Sequence, residues 1–421
     1  MLESMYKFYW YVSLAKTSEK KIQELKNVRL RKIVDYAYNY VPFYRKLWKR
    51  SGISPKDIKS EEDLKKIPII DKKVIRENYN SFISREYREF INQLNPQFIF
   101  SRQTSGSTGK PMKIYYDILT KAHLDAVYAH ALTYAGYNPF KPLLYYWWSM
   151  RENKWYSKIF GYFKKIFVPI HWNELEQLKF MQKIKPEYIY YYPSQLFFIA
   201  KYILHHNIKL SFRPKLIITH AEILTETMRK TIEDAFDSPV HDEYGSNEFN
   251  RIAFECKYNE GYHVPEDVLI IEILNENDEE VNVNETGEVV ITSLLNRAMP
   301  LIRYRQEDYA IKANGQKCEI VYPIKIKSVE GRKQHSLSKK VTQKALMELL
   351  VRICKDFWKC QLFFDEKMKA KLIVVPWKKS GYPNVKPLKR YFNDINVVFS
   401  KDVIKNKKTG KCILVEKVER L

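Results

Sequence analysis

The chain lacks any run of roughly 20 consecutive apolar residues, the length a helix needs to span a bilayer, and Glu3 and Lys7 break up its apolar start. Neither a membrane span nor a clean signal peptide is expected, and a cytoplasmic protein is. The five cysteines, Cys256, Cys318, Cys354, Cys360 and Cys412, never show CxxC spacing. That speaks against a zinc ribbon or a disulfide framework and suits a reducing compartment. No low-complexity block points to disorder.

The 421 residues, 45% of them hydrophobic, suffice for a large core and more than one domain. The formal net charge is +23, and residues 327–421 hold 24 Lys and Arg against 9 Asp and Glu, a net of +15. This asymmetry predicts a large N-terminal domain over residues 1–325 and a small basic C-terminal domain over 326–421. Such a basic face either meets an anionic partner or is simply solvated; no motif specifies a nucleic acid. Tyr6, Phe8, Tyr9, Trp10, Tyr11 and Val12 form an aromatic run. It either packs on the rest of the domain or makes a peripheral contact with the inner face of a membrane.

Ile22, Leu25, Leu30, Ile33, Val34 and Ala37 recur at helical spacing until Val41-Pro42 interrupts them, so two helices are expected. Ser60 followed by Asp63 makes a capping box for a short helix. Apolar segments at 98–100 and 113–116 flank a glycine-containing stretch and predict a hairpin. A helix from about 120 to 136 follows. Candidate strands at 143–148, 188–192 and 216–219 then alternate with helices at 195–205 and 225–236, which predicts an α/β fold with a largely parallel sheet. A turn is expected at Pro239-Val240, strands with acidic turns after Val268, and a small α+β unit at the end with a helix after Pro387.

Four segments carry chemistry. Thr104, Ser105, Gly106, Ser107, Thr108, Gly109 and Lys110, ahead of Pro111, have the character of a phosphate cradle. Glycines let the backbone turn its N–H groups toward an anion, hydroxyls add donors, and a lysine adds charge. The spacing is not that of the NTPase P-loop, because Gly106 stands too close to Gly109-Lys110 and Pro111 follows. Tyr244-Gly245-Ser246-Asn247-Glu248 offers a ring to stack on a base and a carboxylate for a hard cation. Asp308, after Pro300-Leu301-Ile302-Arg303-Tyr304, suits a ribose diol. Lys411, in the late turn with Gly410, is a mobile charge or merely one lysine among many.

Together these segments closely resemble the adenylate-forming superfamily of acyl-CoA ligases, within it the phenylacetate-CoA ligase branch and its capsular polysaccharide biosynthesis relatives. Val41-Pro42-Phe43-Tyr44, Ala221-Glu222 and Gly287-Glu288-Val289-Val290-Ile291-Thr292-Ser293 are similar to that branch too. The resemblance implies a large adenylation domain, a small mobile C-terminal domain, and ATP-dependent activation of a carboxylic acid as an acyl-adenylate. Residues 104–110 would cradle the ATP phosphates, and Tyr244, with Gly245, Ala221 and Glu222 near, would lie by adenine. Glu248 would bind Mg²⁺, Asp308 and Arg332 would take the ribose, and Lys411 would contact carboxylate and α-phosphate. Tyr192-Pro193-Ser194 is similar to part of an acyl-pocket wall. CoA is the default acceptor, with an amine or sugar as the alternative, because Gln334 and a glycine-free segment follow Gly331-Arg332 where the family has an Asp or Lys hinge and a glycine-containing loop. Cys256 and His263, near Glu266-Asp267, would hold a structural metal in the manner of some relatives. The rival from another class is a non-catalytic basic protein that binds an anionic polymer or membrane.

Overall fold

The computed structural model describes residues 2–93, 95–103, 111–147, 153, 155–313, 315, 318–378 and 381–421. The chain gathers into two compact units, one from Met1–Tyr134 with Tyr244–Ser328, the other from Ala135–Glu243 with Val329–Leu421.

In the first unit the two expected helices are Glu19–Tyr40 and Pro42–Arg50. Ser18 caps the first through the Lys21 N–H, and proline opens the second, where its missing N–H has no partner to lose. Helix Leu2–Ala15 packs on helix Ile118–Tyr134, with Trp10 against His123 at 4.3 Å and Tyr11 stacked on His130 at 4.5 Å. One side of the aromatic run is thus packed, while Met5, Phe8 and Tyr9 stay exposed. Strands Ile99–Gln103 and Lys113–Asp117 pair antiparallel with Gln103 opposite Lys113, the expected hairpin. The stretch 104–110 lies outside the described residues. Strands Leu269–Leu274, Thr286–Ser293 and Tyr304–Lys312 follow as an antiparallel meander.

The second unit holds parallel strands in the spatial order Lys165–Val168, Leu143–Tyr146, Tyr188–Tyr191, Leu216–His220 and the start of Val240–Ser246. Helices Glu174–Ile184, Pro193–His205 and Glu226–Phe236 connect them. A separate four-stranded sheet runs Asp394–Phe399, Lys369–Pro376, Phe357–Phe364, Val415–Lys417. Buried Ile189, Phe198 and Ile217 share a core with Leu346, Leu350 and Leu362, so the C-terminal segment and the parallel sheet of this unit close over one apolar interior.

Two local expectations are corrected. Val240 opens a strand rather than a turn, because its pairing with Ile217 overrides the local signal of Pro239. The helix after Pro387 is a single 3-10 turn, Lys386–Arg390, since the strand at Asp394 leaves it no room. The capped segment Glu61–Lys66 is likewise 3-10, its capping box formed by Ser60 and Asp63.

Candidate active site and metal centre

The first unit brings Tyr244 and Asp308 together. The Tyr244 hydroxyl donates to Asp308 Oδ2 at 2.6 Å, with both residues buried. Gly245 follows where the Asn250 carbonyl oxygen would lie 2.3 Å from a Cβ, so only glycine lets the two backbone segments approach this closely. The next turn is held by Tyr116, whose hydroxyl lies 2.6 Å from the carbonyl oxygens of both Asn247 and Glu248. Glu248 is 8% exposed. A lone carboxylate of this kind can supply one oxygen ligand to a hard divalent cation whose remaining ligands are water and phosphate. Arg102 donates to Asn250 Oδ1 at 2.8 Å, tying the strand that enters the glycine-containing stretch to the segment after Glu248. Arg303, buried at φ 50°, donates to Glu272 at 2.7 Å and to the Ile67 carbonyl at 2.7 Å.

In the second unit Lys411 meets Ala221 and Glu222. Lys411 Nζ donates to the Ala221 carbonyl at 2.8 Å, across 190 residues of sequence. Glu222 caps helix Pro193–His205, whose N-cap residue Tyr192 makes no side-chain cap bond: Glu222 Oε2 accepts from the Ser194 N–H at 3.1 Å. Its other oxygen accepts from the Cys412 N–H at 2.8 Å, so the same carboxylate grips the backbone beside Lys411. Burial pushes the Glu222 carboxyl above its usual range. Burial, with Arg332 nearby, pushes the Lys411 ammonium down, against the pull of Glu222. Gly410, at φ 72°, runs so close that a Cβ would meet Tyr146 Oη at 2.9 Å and Ile170 Cβ at 3.1 Å. Tyr192 is fully buried with its ring centroid 5.9 Å from Lys411 Nζ, and Tyr190 stacks on His220 at 3.9 Å near the same strand ends.

Gly331, at φ 91°, lies where a Cβ would come within 2.4 Å of Ile223 Cδ1 and 2.6 Å of Gln343 Oε1. Gln343 accepts from the Arg332 N–H at 2.9 Å and donates to the Val415 carbonyl at 2.8 Å. The segment after it is a 3-10 turn, Lys333–His335. Within it Gln334 Nε2 lies 3.2 Å from His335 Nε2, and His335 Nδ1 accepts from the Lys417 N–H at 3.1 Å.

Sequence reasoning missed Cys318, a third side chain beside Cys256 and His263 at a candidate metal centre. His263 Nε2 lies 3.3 Å from both Cys256 Sγ and Cys318 Sγ, and the two sulfurs are 4.0 Å apart. A tetrahedral zinc with bonds of about 2.3 Å to sulfur and 2.0–2.1 Å to nitrogen has ligand–ligand edges of roughly 3.5–3.8 Å, close to this triangle. His263 Nδ1 sits 2.6 Å from the Tyr322 carbonyl; an Nδ1–H donated there leaves Nε2 as the free lone pair facing the sulfurs. Gly261, at φ 135°, makes the geometry accessible. A Cβ there would meet Ile324 Cγ2 and Ile326 O at 2.8 Å, and strand Tyr262–His263 could not pair with Ile324–Arg332. Glu266 and Asp267 are engaged elsewhere: Glu266 takes Gln23 at 2.6 Å and Lys26 at 3.3 Å, and Asp267 takes His123 at 2.6 Å and Arg29 at 3.2 Å. Cys318 could have been found only by foreseeing that strand pairing carries it back to His263.

No family model matches the chain. Over 350 residues it is 28% identical to protein CapK of Staphylococcus aureus, covering 79% of this chain and 72% of that protein. It is also 28% identical over 305 residues to a phenylacetate-coenzyme A ligase of Thermus thermophilus, covering 68% of this chain and 64% of that one. The chain thus spans less than two thirds of the length of that ligase. A solved structure of 2-hydroxyisobutyryl-CoA ligase in its postadenylation state superposes with a TM-score of 0.70, at 16% identity, over 92% of this chain and 88% of that one. The resemblance to adenylate-forming ligases and their phenylacetate-CoA ligase branch, the mixed α/β fold with a separate C-terminal sheet, and an enzyme of this general kind are supported accordingly.

Proposed function

From this likeness to adenylate-forming ligases we propose that the chain activates a carboxylic acid with ATP and passes the acyl group to an acceptor, CoA by default. The observation that carries the reading is the docking of Lys411 on Ala221, beside a Glu222 that holds the neighbouring backbone. A carboxylate is a poor electrophile and is repelled by a triphosphate. A desolvated ammonium placed where carboxylate and α-phosphate meet offsets that repulsion and orients in-line attack. The acid's oxygen bonds to the α-phosphorus as the bond to the β-phosphate oxygen breaks and pyrophosphate leaves. The acceptor then bonds to the acyl carbon and AMP departs.

In this reading Asp308 accepts the ribose hydroxyls, with Arg332 near, and Tyr244 lies by the base. Residues 104–110 bind the phosphates through their N–H groups, their hydroxyls and Lys110. Mg²⁺ on Glu248 would neutralise phosphate charge. Residues 1–325 serve as the large domain and 326–421 as the small basic one. Cys256, His263 and Cys318 would hold a zinc of structural role, and Tyr192 to Ser194 border the acyl group. The protein is cytoplasmic, and exposed Met5, Phe8 and Tyr9 favour a contact with the inner face of a membrane.

An amine or sugar acceptor is the second reading, favoured by the segment after Arg332. There Ser336 Oγ donates to the Arg332 carbonyl at 3.0 Å and accepts from the Gln343 N–H at 2.9 Å, tying down a stretch that has no glycine to free it. The deciding experiment is ATP–pyrophosphate exchange with phenylacetate and a panel of other acids, followed by mass spectrometry of products with and without CoA. Exchange is expected with at least one acid and lost in Lys411→Ala. Absence of exchange with every acid, together with absence of ATP binding and steep salt-dependent binding to polyanions, would hand the case to the non-catalytic basic protein.

A further inference from the structure

Besides the Glu222 bond to Cys412, the loop that delivers Lys411 is held at two places with different consequences. Gln361, on strand Phe357–Phe364, fixes its shape: Oε1 accepts from the Ile404 N–H at 2.8 Å, and Nε2 donates to the carbonyls of Ile404 at 3.1 Å and Ile413 at 2.8 Å. Those bonds lie wholly inside the C-terminal segment and would travel with it. Glu174 is different, because it opens helix Glu174–Ile184 among the parallel strands, far back in the sequence.

The Glu174 carboxylate is 1% exposed and has one lysine on each oxygen. Lys359 Nζ lies 2.6 Å from Oε2 and Lys405 Nζ lies 2.5 Å from Oε1. Asp402 adds a second acid, 2.7 Å from Lys359, which balances the two cations. Lys405 also reaches Gln195 Oε1 at 3.2 Å. Burial alone would push the Glu174 carboxyl up, but the two lysines hold it below its usual range. A buried charge matched in this way is strongly destabilising to break from one side, and its geometry is fixed by two partners, one on each oxygen. Lys405 stands six residues before Lys411, in the loop that the Asn406 turn closes through the Gly410 N–H at 2.8 Å.

We propose that Glu174 is a positioning residue, gripping Lys359 and Lys405 so that the C-terminal loop presents Lys411 at one place on the parallel sheet of its unit. Its purpose rests on the adenylation reading, but the latch can be tested without substrate. Amide hydrogen exchange is measured on the full chain as Glu174→Gln, Lys405→Met, Lys405→Arg and, as a control on a surface pair, Arg352→Ala. Acetic anhydride labelling of Lys411 runs alongside.

In Glu174→Gln and Lys405→Met, exchange at residues 410–412 should quicken about tenfold or more while strand Lys369–Pro376 keeps its protection. Lys411 should become labelled in both. Lys405→Arg and Arg352→Ala should behave as the parent. If Glu174→Gln does not fold, Lys405→Met decides alone. The proposal is overturned if folded Lys405→Met protects 410–412 as the parent does, or if exchange rises equally in Lys369–Pro376, which would make the cluster a support of the whole sheet. Failure of pyrophosphate exchange in the parent would count against adenylation and leave the latch to be judged on these amides.

Discussion

In the first unit Tyr244 and Asp308 meet on strands, where the Tyr244 hydroxyl donates to Asp308 and both residues belong to elements of the antiparallel meander and its neighbours. In the second unit Lys411 reaches Ala221 from a loop near the end of the chain, and Glu222 and the Glu174 cluster bond to that loop from the parallel-sheet side. The first arrangement is as rigid as its sheet. The second is conditional, since every strap is a side-chain polar bond rather than a strand pairing. A nucleotide-binding half suits the former, and a charge that must be delivered at a particular moment suits the latter.

The sharpest way to break this contrast is Lys411→Ala. Loss of a preorganised cation at a developing charge should lower pyrophosphate exchange about 10²–10³-fold while ATP affinity changes little, because the first unit keeps its own contacts. A large rise in the KM for ATP with kcat intact would instead make Lys411 a nucleotide-binding group and erase the distinction.

The candidate metal centre tests the rigid side. Metal analysis should find one zinc per chain, and Cys318→Ser should lose it and lower the melting temperature by about 5–15 °C, since ligand binding energy is folding energy here. Protection of residues 410–412 should not change. A chain free of metal that melts as the parent does would reduce Cys256, His263 and Cys318 to a buried thiol–imidazole contact.

How much of this was legible in the sequence follows the same division. The helix pair around Pro42, the hairpin at 99–117 and the parallel strands could be read because hydrophobic period and turn chemistry are local properties. Tyr244 and Asp308 stood out because each sits in a motif. Lys411 did not stand out by itself, being one of 72 Lys and Arg. Glu174, Lys359 and Lys405 were invisible for that reason too, as a buried ion cluster is defined by packing rather than by spacing. Cys318 was hidden because 55 residues separate it from His263, and only the pairing of Tyr262–His263 with Ile324–Arg332 carries its segment back. The strand at Val240 was obscured by a proline whose local signal its neighbour overrules.

A smaller effect separates the two members of the first unit's pair. Asp308→Ala removes a carboxylate that would accept the ribose hydroxyls, and should raise the KM for ATP about 10–100-fold with kcat nearly kept. Tyr244→Phe removes only the hydroxyl that holds Asp308, leaving the ring, and should raise it less than about tenfold. If the tyrosine change proved the larger, the hydroxyl would be touching nucleotide directly and Asp308 would be its support.

The smallest effect concerns acid stability in the second unit. His335 is held down to about 4, first by burial and then by the Arg332 guanidinium, with its Nδ1 accepting from the Lys417 N–H. The unfolded chain takes up this proton near the ordinary imidazole value of about 6.5, before the folded one does. Stability from this group is therefore full above that value and drains away as pH falls toward 4, by about 1–2 kcal/mol between pH 7 and pH 5. His335→Gln keeps a side-chain oxygen able to accept from Lys417 and removes the titration. Its melting temperature should fall less than the parent's between those pH values, and equal falls would place the acid sensitivity on other groups. Because His335 lies between Arg332 and the strand that Gln343 ties to Val415, its protonation should loosen the conditional side first, seen as faster amide exchange at residues 415–417 with the Leu269–Leu274 strand unchanged.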